Sequence, residues 1–375
     1  MLFRLQFWEA VGVIGGMIIG SGMFALPYAV NISGIIWGVI SAVLALLAVL
    51  GIHLAYGEVI LGTEERHRLP GYAKLYLGAA VGRISASLQV IGFNMALLIY
   101  AELAGIFLNI LFGGGIFFWT VVFFAAVALI LYFQNIERIG FINFILTIPL
   151  VLITMLISFL AFQKGSVDNL PVYGSDKFFS FGIFVFALAG LSVIADAREI
   201  FKSESVKKLK AAIIFGTTLP FFLYLLFIFG VLSAADGGAS KDAISGLAGV
   251  LGTGAVKLGA IVGILAVFTS FIALGFDLKQ IYELDLKTPK FFSWAAVMLI
   301  PLGIYLLGAD DIVKLISIVG GIFIAVDGII VLLILRKLRG AGGGIRLLPD
   351  SPIPQLFIGT VLFLGIVYEL IYQVF

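Results

Sequence analysis

The sequence predicts an all-α membrane fold of eleven transmembrane helices. Three observations carry that reading. The chain is 62% hydrophobic and only 12% charged over 375 residues. Its mean hydropathy is +1.20. Its apolar residues fall into eleven runs separated by short polar loops. No water-soluble domain of this length has such a composition. The spans are expected at 7–30, 34–62, 84–112, 116–133, 141–162, 178–201, 210–235, 255–282, 291–308, 312–336 and 354–375. Most reach the roughly 20 residues needed to cross hydrocarbon, and the fourth and ninth fall short.

The halves 1–162 and 178–336 hold five spans each, and 337–375 adds a glycine-rich linker and one further helix. An odd number of helices per half makes the second half enter from the opposite face, which gives a 5+5 inverted repeat plus one C-terminal helix. The loops are too short to fold alone, so a single integral membrane domain is expected. All but five of the 23 basic residues fall on one side of this arrangement. The exceptions are Lys164, Lys177, Lys241, Lys257 and Lys314. The bias places the N-terminus in the cytoplasm and the C-terminus outside, in a multi-pass protein of the cell membrane. The first run lacks a small-x-small cleavage site and reads as a span rather than a signal peptide.

Span one carries Gly15-Gly16 and Gly20-Ser21-Gly22 inside its apolar run, with Pro27 after them. A helix in lipid must satisfy its own backbone, and unwinding is tolerated only beside a protein-lined or water-filled cavity. A break there frees N–H groups around Gly22 at the positive end of the following helix, a place for a carboxylate. Span two contains His53 and Glu58, and span three contains Tyr100 and Glu102. Span five (141–162) contains no lysine.

Span six is the counterpart of span one and should be interrupted at the matching place. It reads Phe186-Ala187-Leu188-Ala189-Gly190-Leu191-Ser192, with small residues at its middle and Asp196 near its end. Unwound carbonyls at Phe186, Ala187 and Ala189 would accept from an ammonium group. A site that takes both ends of a zwitterion is a site for an amino acid. Span eight places Thr269 and Ser270 side by side, hard oxygen ligands that suit sodium. The same pair also bonds back to carbonyls one turn earlier in many membrane helices. Span ten holds Asp327 near its middle, where a charge costs about 2.5–3.5 kcal/mol on insertion scales. Lys314 at its outer edge is placed to pair with Asp310 or Asp311.

The run Ile19-Gly20-Ser21-Gly22-Met23-Phe24-Ala25-Leu26-Pro27-Tyr28 resembles the first helix of amino acid/auxin permeases, within them the hydroxy and aromatic amino acid permease branch. Tyr56-Gly57-Glu58, Arg68-Leu69-Pro70-Gly71-Tyr72-Ala73 and Thr269-Ser270-Phe271-Ile272-Ala273-Leu274-Gly275 are similar too. The resemblance implies the amino acid–polyamine–organocation fold, with ten helices in two inverted repeats broken at helices one and six. It implies an ion-coupled symporter of neutral, aromatic or large amino acids working by alternating access. The substrate would be held by Ile19, Ser21, Gly22, Met23, Tyr100, Phe186, Ala187, Ala189, Gly190 and Ser270. A sodium ion would sit among Gly16, Ile19, Ala266, Thr269 and Ser270, as in sodium-coupled relatives.

Proton coupling stands beside sodium, with Asp327, Glu102, Glu58 and Asp196 as the acids to weigh. Neither catalytic residue nor cofactor is expected beyond the coupling ion. The sequence has no cysteine, and its two histidines, His53 and His67, leave little for haem or zinc ligation. The partners expected are a small-molecule amino acid and the lipid bilayer, with no nucleic acid and no obligatory protein. Two other classes compete: an intramembrane aspartyl protease with Asp196 and Asp327 as its dyad, and a receptor that binds an amino acid without carrying it.

Overall fold

The computed structural model describes residues 2–133, 139–201, 206–235, 238–309 and 311–374. The described residues form helices and connections, with no strand among them. Eight helices are long and apolar enough to cross a membrane. A ninth crossing is a bent pair, Gln6–Ile18 and Ser21–Ser33, whose axes meet at 46°. Ile116–Tyr132 and Lys290–Leu306 are shorter apolar helices at the fourth and ninth expected spans.

Span one consists of α1 (Leu2–Ile18), a 3-10 turn (Ser21–Ala25) and α2 (Leu26–Ser33). Span two is α3 (Ile35–Gly62), followed by α4 (Leu69–Leu77) and span three, α5 (Ala79–Phe112). Next come α6 (Ile116–Phe133) and α7 (Ile139–Lys164). Span six consists of α8 (Phe179–Leu188) and α9 (Val193–Ile200), and α10 (Val206–Ala234) is span seven. The short α11 (Ala248–Leu251) precedes α12 (Thr253–Gln280) and α13 (Lys290–Leu306). Span ten consists of α14 (Ile312–Ile318), a π-helical stretch (Val319–Ile324) and α15 (Ala325–Gly340). The last helix is α16 (Pro352–Glu369).

Two elements were not visible as such in the sequence. Loop 63–83 contains α4, opened by Pro70 in its first turn, where a missing N–H costs nothing. Span ten widens to a π-helix where Gly320 meets α8. A Cβ on Gly320 would stand 1.8 Å from the carbonyl oxygen of Gly182, so a side chain there would drive α8 and span ten apart. Stretches of π-helix are frequent at functional sites.

α12 runs along α5 and α7, α10 along α1 and α7, and α8 sits among α2, α3, α14 and the π-helical stretch. The two broken spans are therefore central. Large apolar side chains such as Phe222 (63% exposed) cover the outside of the bundle, where lipid is the solvent.

One buried ion pair anchors the end of the chain to this bundle. Glu58 on α3 is 0% exposed and takes both arms of Arg339, at 2.7 and 2.8 Å. Its Oε2 also accepts the N–H groups of Leu347 (3.0 Å) and Leu348 (3.3 Å). The carboxylate thus folds the 341–351 segment back under α3 before α16 begins. Glu58→Ala should lower stability by about 3–5 kcal/mol, because it strands a desolvated guanidinium and two N–H groups. Thermal unfolding in detergent measures this, and a change within noise would make the pair incidental. Before span ten Asp311 pairs with Lys241 (3.1 Å) rather than with Lys314. Asp310, Arg138 and Lys202, which enter the charge reading, lie outside the described residues.

Candidate functional site

The two expected interruptions are present and face one another. In span one the α-helical ladder ends at Ile19, whose N–H reaches Gly15 O at 2.7 Å. Gly20 is extended (φ −120°, ψ −155°), and the chain restarts as the turn at Ser21. The first N–H groups of a new helix have no carbonyl one turn earlier to receive them. In span six α8 stops at Leu188, Ala189 is extended (φ −64°, ψ 135°), and α9 begins at Val193.

Gly22 is one place where the broken spans touch, as is Gly190 against Ile18. A Cβ on Gly22 would lie 2.7 Å from Ala187 Cα and 3.0 Å from Phe186 Cδ1. Its missing side chain admits the backbone of α8, and that contact sets the distance between the two breaks. The room that a side chain on Gly22 would need is therefore taken by Ala187.

Tyr224 of α10 joins the two breaks through one hydroxyl. Its Oη lies 2.5 Å from Ile18 O and 3.0 Å from Ala187 O, and its side chain is fully buried. One hydroxyl proton is shared between the two carbonyls, and Ile18 O also accepts the N–H of Gly20 at 2.7 Å. Ala187 O is therefore engaged, and Phe186 O accepts the N–H of Ala189 at 3.1 Å. Neither is a bare acceptor, although each keeps a second lone pair.

Between the breaks lies a cavity of about 120 Å³. Ser21, Gly22, Tyr100, Phe186, Ala187, Ala189 and Gly190 line it. Tyr100 and Phe186 form an aromatic wall, with ring centroids 6.3 Å apart. Ile19 and Met23 are buried in the packing around the break instead of lining the cavity. Ser270 stands behind the break: a Cβ on Gly20 would meet its Oγ at 2.7 Å.

The oxygen cluster expected on span eight is buried against the same break. Thr269 donates its hydroxyl to Leu265 O or Ala266 O, both at 3.0 Å, the back-bonded arrangement. Gly16 is buried in α1.

The four acids separate. Asp327 lines the cavity and accepts Gln89 Nε2 at 3.1 Å. Glu102 is buried in α5 but does not line the cavity. Glu58 is held by Arg339 at the far end of α3. Asp196 is half-exposed and lines a separate polar cleft, 3.9 Å from Arg68. Asp196 and Asp327 thus open onto different cavities, and the arrangement offers no dyad.

Arg68 was quoted in the sequence only as part of a motif. It bonds Ser192 O (3.3 Å) on span six and Gln280 Oε1 (3.2 Å) and Asp277 Oδ1 (3.2 Å) on α12. Burial pulls its guanidinium downward, but Asp277 and then Asp196 outweigh that and hold it above its ordinary value. Arg68 therefore stays charged at physiological pH, tying three elements together at one end of the cavity. His53, which also lines the cavity, shares a 3.0 Å hydrogen bond with Thr217. Tyr224, Gln89 and the Arg68 network carried no local signal, since their partners are remote in sequence.

A helical bundle that breaks two central spans around a small-molecule cavity defines a membrane carrier. The chain belongs to the tryptophan/tyrosine permease family, whose model matches residues 4–368. Its fold is similar to that of MhsT, solved in complex with L-phenylalanine: TM-score 0.69 and 18% identity over 98% of this chain and 97% of that one. It is similar as well to Mhp1, a nucleobase-cation-symport-1 family transporter solved closed with bromovinylhydantoin bound. That match has a TM-score of 0.64 and 14% identity over 97% of this chain and 91% of the other. The comparison with curated proteins gives no match. The protein is a multi-pass membrane transporter and not an enzyme, which removes the protease reading. The match shows this family, and it does not reach down to the hydroxy and aromatic amino acid permease branch of the amino acid/auxin group.

Proposed function

We propose that the chain is a secondary active symporter that carries an aromatic amino acid by alternating access. The observation that supports this most is the pair of facing breaks, Gly20–Gly22 and Ala187–Gly190, on one aromatic-walled cavity. Helix starts and freed carbonyls of opposite polarity match a carboxylate and an ammonium group a few bonds apart. The family's name adds the aromatic side chain. Ser21 and Gly22 face the carboxylate, and Ala187, Ala189 and Gly190 face the amine. Tyr100 and Phe186 cover the ring.

The full arrangement in this reading is eleven crossings: two inverted five-helix repeats over 1–162 and 178–336, and an eleventh helix after residue 337. The N-terminus is cytoplasmic and the C-terminus outside. Arg68, in the loop after span two at the start of α4, then closes the cytoplasmic end of the cavity through Ser192, Asp277 and Gln280. Release inward requires those bonds to part. Spans one, two, six and seven rock as a bundle against the rest.

The coupling ion is sodium at Thr269 and Ser270, with Gly16, Ile19 and Ala266 supplying carbonyls, or a proton on one of the acids. Counterflow in proteoliposomes tests the carrier itself: labelled tryptophan accumulates against unlabelled tryptophan inside if the protein cycles. Binding without counterflow would make it a receptor, and no binding would end the reading. Under sodium coupling, Thr269→Ala with Ser270→Ala should weaken sodium-dependent uptake by about tenfold or more, the worth of two lost oxygen ligands. Uptake that ignores both sodium and the double change, yet follows a pH gradient, assigns the proton.

A further inference from the structure

The eleventh helix carries an acid that the carrier mechanism above does not use. Glu369, at the end of α16, is 0% exposed. Its Oε1 accepts the hydroxyl of Ser317 of α14 at 2.6 Å. Its Oε2 is shielded from solvent and has no hydrogen-bond partner. The carboxyl lies in a seat made by glycines. A Cβ on Gly182 of α8 would strike Oε1, and one on Gly321 of the π-helical stretch would stand 2.8 Å from it. The side chain is thus wedged between the first half of span six and span ten.

Among the described residues no cation is aimed at this seat. α8 has no titratable side chain over 179–188. Just before it, Asp176 accepts the hydroxyl of Tyr368 at 2.6 Å, and Lys177 lies over the ring of Trp37, 5.4 Å from its centre. On span ten Lys314 is exposed, and Asp311 before it pairs with Lys241. On α16 itself Tyr372 stacks on Tyr368. α3 and α15 meet α16 farther back, where Ile358 reaches Gly51 and Leu362 reaches Gly328. His53, Glu58 and Asp327 therefore do not face the carboxyl.

A carboxylate in this place has one hydrogen bond for a full charge held out of water. Buried acids escape that cost by taking a proton. The seat also adjoins the ligand cavity. Phe186, one turn after Gly182 on α8, lines that cavity, as do Val319 and Phe323 of span ten. Separation of α8 from span ten opens the seat and moves the cavity wall together.

We propose that Glu369 is a proton-binding site through which the eleventh helix fastens α8 to span ten. With its proton on, the carboxyl stays between the glycines. When the proton passes to water, the carboxylate leaves the seat for solvent and α8 is freed from span ten. The proton site is read without reference to a substrate; its effect on transport rests on the carrier reading above.

Infrared spectra of the purified protein at neutral pH should contain a protonated-carboxyl C=O band that Glu369→Gln lacks. The amide keeps the shape and carries no charge, so this variant mimics the seated form. If Glu369→Gln does not fold, Ser317→Ala serves instead: withdrawing the donor must move the same band to higher frequency. A carboxyl region identical to that of the wild type in the folded variant shows an ionised Glu369 and overturns the proposal.

Counterflow of labelled tryptophan at several pH values tests the consequence for transport. Wild-type rates should vary with pH by up to about tenfold per unit, the limit for one proton. Glu369→Gln should lose that variation. Matching pH profiles in the two proteins mean that the proton does not govern α8, and they overturn the proposal as well. No counterflow by the wild type at any pH strikes the carrier reading instead, and the infrared result then decides the proton site alone.

Discussion

Gly22→Leu is expected to abolish uptake and to lower thermal stability together. The first Cβ atom already falls 2.7 Å from Ala187 Cα, a backbone atom that cannot rotate away. The remaining leucine atoms must push α8 from the turn at Ser21. Overpacking of this kind costs about 1–3 kcal/mol and sometimes more. The cost falls on the distance between two breaks whose backbone groups must meet one small ligand. A misplacement of about 1 Å at a preorganised site is worth on the order of a hundredfold. Gly22→Ala should show a smaller loss of both quantities, because one methyl meets the same atoms. The check is a melting curve without ligand, run beside a binding isotherm. If Gly22→Leu loses binding with its melting temperature unchanged, the glycine leaves room for a carboxylate rather than for α8.

Tyr224→Phe is the second variant with a large expected effect. The ring stays packed in the same buried place, so the change removes one oxygen and no shape. Ile18 O keeps the N–H of Gly20 at 2.7 Å, whereas Ala187 O loses the hydroxyl that reached it at 3.0 Å. A buried acceptor left unsatisfied costs about 1–3 kcal/mol, and here the two breaks also lose their common tether. Affinity for the transported amino acid should fall by about tenfold, with a stability loss of about 1–3 kcal/mol. Wild-type affinity and stability in this variant would show that the breaks hold their places without the hydroxyl.

Membrane class, helical fold and the break in span one were legible because each is a local property. Lipid forbids unpaired backbone, so the run Gly20-Ser21-Gly22 inside an apolar segment announces its own interruption. The break in span six was fainter, since Ala187-Leu188-Ala189-Gly190 also suits helix packing; its position opposite span one made it readable. Of the residues expected at the ligand, seven line the cavity, from Ser21 to Gly190. Ile19, Met23 and Ser270 fall behind it, because sequence distance from a break does not say which face a side chain takes. The acids show the same limit. Glu58 and Asp327 look alike as lone charges in apolar runs, yet one is spent on Arg339 and the other faces the cavity.

Composition and the spacing of glycines thus determined that this chain spans a membrane and opens its backbone in the first and sixth crossings. Tertiary structure decided what those openings meet: Ala187 against Gly22, one tyrosine hydroxyl between two carbonyls, and Gln89 bonded to Asp327 at the cavity wall. Hydrophobic patterning reports whether a residue meets lipid or protein. Which polar atoms meet depends on packing between helices separated by as many as 281 positions, the distance from Glu58 to Arg339, and no local pattern encodes it.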